Sequence, residues 1–114
     1  MSNIYVDDLG EGFPFVLVHG YLGSSEMWTF QKEFFSKDYR VIIPALPGFG
    51  ESHNVKSLDS INKMAKELIN VLNRKKIDKF NLIGHSMGGM IVQEITKLIG
   101  YRVNKLICFA TGSI

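Results

Sequence analysis

Ser86 stands in the pentapeptide Gly84-His85-Ser86-Met87-Gly88, directly after an apolar run and at the head of a stretch with helical periodicity. That placement suits a nucleophile. A serine on a very sharp strand-to-helix turn has its hydroxyl held clear of the sheet, in a strained backbone conformation. Gly84 and Gly88 flank it, where a Cβ would crowd such a turn. The helix N-terminus also favours negative charge developing above it. The five residues alone are a weak signal: with 11 glycines in 114 residues, a chance match is expected in roughly one such chain in ten. Their position between strand and helix makes the signal much stronger.

Attack by a serine on an acyl group produces an oxyanion that needs two pre-aimed donors. The backbone N–H of Met87, next after the nucleophile, is one candidate. His19-Gly20-Tyr21-Leu22-Gly23 offers the other, through the N–H of Tyr21 or Leu22, with Gly20 and Gly23 letting the loop come close. Gly20 and Leu22 are accordingly expected to border the substrate. An imidazole at position 19 is expected to brace this loop by bonding backbone. Pro47-Gly48-Phe49-Gly50-Glu51-Ser52 reads as a tight structural turn, because neither G-x-x-x-x-G-K-[ST] nor G-x-G-x-x-G occurs in the chain.

The elements that must position these residues are legible from apolar patterning. Strands are expected at Ile4–Val6, Phe13–Val18, Tyr39–Ala45, Lys79–Gly84 and Val103–Ala110, the first ending at Asp7-Asp8. Helices are expected from a cap at Ser24 or Ser25 through Trp28 to about Phe35, from Ser57 onward, and from Ser86 or Met87 to Ile99, with Gly100 as the stop. In the middle helix Leu58, Ile61, Met64, Ala65, Leu68 and Leu72 recur on one face, and Arg74-Lys75-Lys76 offsets its C-terminal dipole. Met27 and Trp28 read as the core face of the first helix. The order β-β-α-β-α-β-α-β indicates a mostly parallel sheet with helices on both faces.

Composition narrows the rest. Hydrophobic residues make up 46% and charged residues 21%, with net charge +2, which argues neither for nucleic acid nor for a membrane surface as partner. Cys108, the one cysteine, cannot form an internal disulfide and reads as a small buried hydrophobe. No signal peptide or stretch of ~20 apolar residues is evident, so a cytoplasmic location is expected.

The three motifs together resemble the α/β-hydrolase superfamily, in its esterase, lactonase and C–C hydrolase branch, which carries H-G-x-x-G, P-G-x-G-x-S and G-H-S-x-G-G at this spacing. The resemblance spans essentially the whole chain and implies an α/β fold with Ser86 as nucleophile. It also implies an oxyanion hole from Met87 and Tyr21, a small acyl substrate, and no metal or organic cofactor. The family orders its triad as serine, acid, histidine. Only 28 residues follow Ser86, and Glu94 is the one acid among them, with no histidine. The expectation is therefore the N-terminal portion of a single α/β-hydrolase domain (residues 1–114), with C-terminal strands, lid and two triad members absent. A non-catalytic remnant or interaction module that keeps the elbow is the alternative. Cofactor-free haloperoxidases share the same residues. The last strand would then present a bare apolar edge at Leu106, Ile107 and Phe109, open to self-association.

Overall fold

The computed structural model describes residues 4–20 and 25–109. Among these residues five strands form one sheet: β1 (Val6–Leu9), β2 (Phe13–Val18), β3 (Tyr39–Pro44), β4 (Phe80–His85) and β5 (Val103–Phe109). Their spatial order is β1-β3-β2-β4-β5. β1 runs antiparallel to β3, and every other pairing is parallel. The continuous apolar runs of β2 and β3 follow from this, since a parallel sheet is covered on both faces. Leu17, Val18, Val41, Ile42 and Ile43 are all fully buried.

Three helices among the described residues cover the sheet: α1 (Thr29–Phe35), α2 (Ile61–Arg74) and α3 (Met87–Ile99). On one face, Met64, Ala65, Leu68, Val71 and Leu72 of α2 and Ile91, Val92 and Ile95 of α3 pack on Val16, Val18, Ile42, Phe80 and Leu82. On the other, Trp28 meets Phe15, Leu17, Val41 and Ile43, with Phe35 and Ile83 at the margin. Strand alternation produces both cores: in β4, Phe80 and Leu82 face α2 and α3, while Ile83 faces α1.

The middle helix starts at Ile61, not at Ser57. Ser60, in an extended conformation, accepts a hydrogen bond from the Lys63 N–H at 3.1 Å and so caps it. Leu58 therefore packs from the preceding loop and is half-buried. The helix ends with Lys76 in the left-handed region (φ 59°). There the N–H groups of Lys76 and Ile77 donate to the carbonyls of Asn73 and Leu72, each at 3.0 Å, which satisfies two orphan carbonyls of the last turn.

Other boundaries shift as well. The first strand is Val6–Leu9 and contains the two aspartates expected to end it. Both are tolerated because each has a cationic partner. Asp8 receives the Nε and Nη2 of Arg40 at 2.9 and 2.7 Å and Lys75 Nζ at 2.8 Å; Asp7 receives Lys32 Nζ at 3.4 Å. The first helical segment begins as a 3-10 turn at Ser25–Trp28. Trp28 is buried as expected, but Met27 is 40% exposed. Cys108 is half-buried, its Sγ near the Gly89 carbonyl, and burial pushes its thiol pKa up. β4 runs one residue further than expected, to His85, and the described part of the last strand ends at Phe109. No helix among the described residues is long and apolar enough to cross a membrane.

Candidate functional site

β4 and α3 meet at Ser86 with no intervening loop, so one residue must turn the chain. Ser86 does so at φ 58° and ψ −122°, a region that costs a non-glycine residue on the order of 1–3 kcal/mol. The surroundings enforce it. A Cβ on Gly84 would lie 2.3 Å from the Gly88 carbonyl oxygen and 2.7 Å from the Gly89 Cα, so β4 and the first turn of α3 touch backbone to backbone. At Gly88 the reason is different: a Cβ there would meet the carbonyl oxygens of Val18 and His19 at 2.2 and 2.5 Å. Gly88 lets α3 sit directly on the end of β2. The Ser86 N–H donates to the Phe109 carbonyl at 3.2 Å, which ties the elbow to β5 as well.

Of the residues expected around Ser86, the structure brings Gly20 and Met87 to it. A Cβ on Gly20 would lie 2.9 Å from the Ser86 Cβ and 3.4 Å from its Oγ. The end of β2 and the elbow are thus in direct contact. Met87 is the first residue of α3, where a backbone N–H has no carbonyl one turn back to bond. Tyr21 and Leu22 lie outside the described residues.

His19 is fully buried, and both ring nitrogens are engaged. Its Nε2 accepts the Leu46 N–H at 2.9 Å, and its Nδ1 lies 2.7 Å from the Gly20 carbonyl oxygen. The Phe49 ring stands edge-on to the imidazole, with centroids 6.2 Å apart. Burial lowers its pKa below the usual value, against opposing pulls from the Gly20 carbonyl and Glu51. It is a brace, as its sequence position implied.

The other two histidines are placed elsewhere. His53 is exposed, with Nδ1 3.2 Å from the Gly50 carbonyl oxygen. His85 packs its ring on Phe109 at 4.9 Å, and Phe109 in turn meets Trp28 at 6.0 Å. That places His85 on the α1 face with Ile83, whereas α3 covers the opposite face. Glu94 is buried between α2 and α3 and accepts a hydrogen bond from Asn62 Nδ2 at 2.7 Å. Among the described residues no group of three or more acids, histidines or cysteines is arranged to hold a metal.

The turn at Pro47–Ser52 carries a role that its glycines hid. Ser52 is buried: its Oγ donates to the Ala45 carbonyl at 2.8 Å and accepts the Tyr5 N–H at 2.8 Å. Its backbone carbonyl accepts the Gly48 N–H at 3.0 Å. Ser52 therefore stitches the loop after β3 to the segment entering β1. The serine that ends P-G-x-G-x-S was the available signal.

A model of the α/β hydrolase fold matches residues 14–113. The (E)-2-((N-methylformamido)methylene)succinate hydrolase of Acinetobacter baylyi is 36% identical over 87 residues, covering 76% of this chain and 33% of that protein. Esterase YbfF of Escherichia coli is 33% identical over 97 residues, covering 82% and 37% respectively. Among solved structures, Est816, described as an N-acyl homoserine lactone degrading enzyme, superposes with TM-score 0.90 at 31% identity. That likeness covers 96% of this chain and 42% of the other. The chain thus spans well under half the length of these relatives. With the motifs, the sheet order and the elbow in agreement, the chain belongs to the α/β-hydrolase-fold family.

Proposed function

We propose that this chain carries the nucleophile half of a serine hydrolase acting on an ester, thioester or lactone of a small acyl substrate. The observation that carries the reading is Ser86 held at φ 58° at the head of α3 with Gly20 packed against its Cβ. In the proposed reaction Ser86 Oγ attacks the acyl carbonyl, and its proton passes to a general base. The N–H groups of Met87 and Tyr21 receive the oxyanion, with Gly20 and Leu22 bordering the substrate. Collapse expels the alcohol or thiol, which takes up that proton (in a lactone it stays tethered). Water then releases the acid from the acyl-enzyme by the same route. The chemistry needs neither metal nor organic cofactor.

An unassisted serine hydroxyl is a poor nucleophile at neutral pH. His19 has both ring nitrogens engaged with backbone, and His85 and His53 are directed to Phe109 and Gly50. The base and its orienting acid are therefore assigned to residues beyond these 114, on the same or another chain. The printed activities of the relatives, a hydrolase, an esterase and a lactone degrading enzyme, support acyl chemistry. The test is hydrolysis of short-chain p-nitrophenyl esters by the product of the full reading frame. Ser86→Ala is expected to lower kcat by about 10³-fold or more, and an unchanged rate would overturn the assignment.

A second reading is a non-catalytic interaction module, favoured by the engagement of all three histidines away from Ser86. Its contact surface would be the outer edge of β5, where Leu106, Ile107 and Phe109 are each about two-fifths exposed. Pairing of two copies there would extend the sheet. A folded full-frame product without esterase activity that dimerises, and whose dimer is lost in Ile107→Lys, would establish it.

A further inference from the structure

We infer that His19 is a proton-sensitive cross-brace: neutral, it ties Gly20 after β2 to Leu46 after β3, and on protonation at Nε2 it releases the Leu46 end. The inference rests on the reading of the Gly20–Tyr21 segment as oxyanion loop for its functional meaning, but its structural content stands independently.

The hydrogen bonds fix the tautomer. The partner of Nε2 is the Leu46 N–H, a donor, so Nε2 must carry a lone pair. The partner of Nδ1 is the Gly20 carbonyl oxygen, an acceptor, so Nδ1 carries the proton. One neutral imidazole thus satisfies two backbone groups from the segments that follow β2 and β3, in a fully buried position. Adding a proton at Nε2 sets N–H against N–H, and the Leu46 amide loses its acceptor where no water reaches it. No side chain other than a neutral histidine can accept at one ring edge, donate at the other and then be switched by taking up a proton.

The consequence for the site is one of contact: the Gly20 carbonyl held on Nδ1 belongs to the residue whose backbone packs against Ser86. His19 is a positioning residue in this account. Glu51 is the charged side chain whose field reaches the ring and favours the protonated form; burial opposes it and dominates. The unfolded chain then takes up the proton at higher pH than the folded one. Stability linked to His19 is complete above pH ~6.5 and declines as pH falls below it.

The test is NMR on the chain itself, uniformly labelled with ¹⁵N. At neutral pH the His19 ring is expected to show Nδ1 protonated and Nε2 bare. On acidification its titration midpoint should lie below the ordinary imidazole value, and the Leu46 amide should lose exchange protection about tenfold or more with the same midpoint. His19→Gln keeps an acceptor that can reach Leu46 but cannot titrate, so its Leu46 protection should be flat across the same range. The opposite tautomer, a protected Leu46 amide beside a protonated His19, or an acid loss that persists in His19→Gln would overturn the inference. If His19→Gln does not fold, the tautomer and the coupled midpoints in the unsubstituted chain still decide. These readouts do not depend on activity, so an unreactive Ser86 would count against the hydrolase reading and leave the brace standing.

Discussion

Among the described residues, sixteen buried side chains on the face covered by α2 and α3 form one continuous core that reaches from Ile4 to Ile95. On the opposite face five do, gathered around Trp28. There α1 has no fully buried residue, its Phe30 and Phe34 are 83% and 66% exposed, and Ile107 and Phe109 lie open on β5. The contrast shows where the work of folding is done. The elbow is set on the well-packed side, where Gly88 lets α3 lie on β2. The α1 side supplies the His85–Phe109–Trp28 aromatic contacts and a large uncovered apolar surface. Such a surface marks a place where further protein packs, or an aggregation hazard.

The comparison can be broken most sharply at the elbow. Gly88→Ala places a Cβ against two backbone carbonyls of the β2 end, and neither can move without disturbing the central strand. We expect a loss of about 3 kcal/mol or more, enough to abolish a cooperative urea transition in a marginal domain. A transition near that of the parent chain would mean that α3 does not rest on β2 as described.

Next in size is a paired truncation across the two faces. Leu68→Ala should cost about 2–5 kcal/mol by chemical denaturation, because Leu68 is enclosed by the larger core. Phe34→Ala should change stability by less than about 0.5 kcal/mol and should improve solubility. Equal effects would erase the distinction between the faces.

A smaller effect belongs to the cluster that fastens β1 at the far edge. Arg40, helped by Lys75, holds the Asp8 carboxyl at a pKa of about 2. Since its folded value lies below its unfolded one, the contribution is present above pH ~4 and is lost as pH falls toward 2. Asp8 is partly solvated, so screening reduces the effect, and Asp8→Asn should cost about 1 kcal/mol at pH 7. The variant should also flatten the acid limb of a stability profile between pH 4 and 2. An unchanged limb would assign acid sensitivity to other groups. Smallest is Lys76→Gly, which removes a left-handed side chain at the end of α2 and should stabilise by up to about 1 kcal/mol. A thermal melt at or below that of the parent would contradict the helix ending described above.

Much of this was legible in the sequence because periodicity and glycine spacing are local signals. Strands β2 and β3, an α3 start at Ser86 or Met87 and the sharp turn between β4 and α3 all announced themselves in runs of fewer than ten residues. What was not legible depends on contacts between distant residues. Asp7 and Asp8 look like strand breakers until Lys32, Arg40 and Lys75 arrive from three other elements. Ser57 and Ser60 both satisfy the cap preference, and the geometry of the Lys63 N–H decided between them. Ser52 reads as the tail of a turn until its hydroxyl is seen joining Ala45 to Tyr5. Within the site, the roles of Gly84 and Gly88 looked alike on paper, and the structure separates them by what a Cβ would strike.

The most direct test of the central claim, that the elbow exists to present a nucleophile, is stoichiometric labelling with a fluorophosphonate followed by peptide mass spectrometry. The protein to use is the full-frame product, with Ser86→Ala beside it. One adduct per molecule is expected, located on Ser86 and absent from Ser86→Ala. A folded protein that takes up no label, or takes it on another serine, would contradict it.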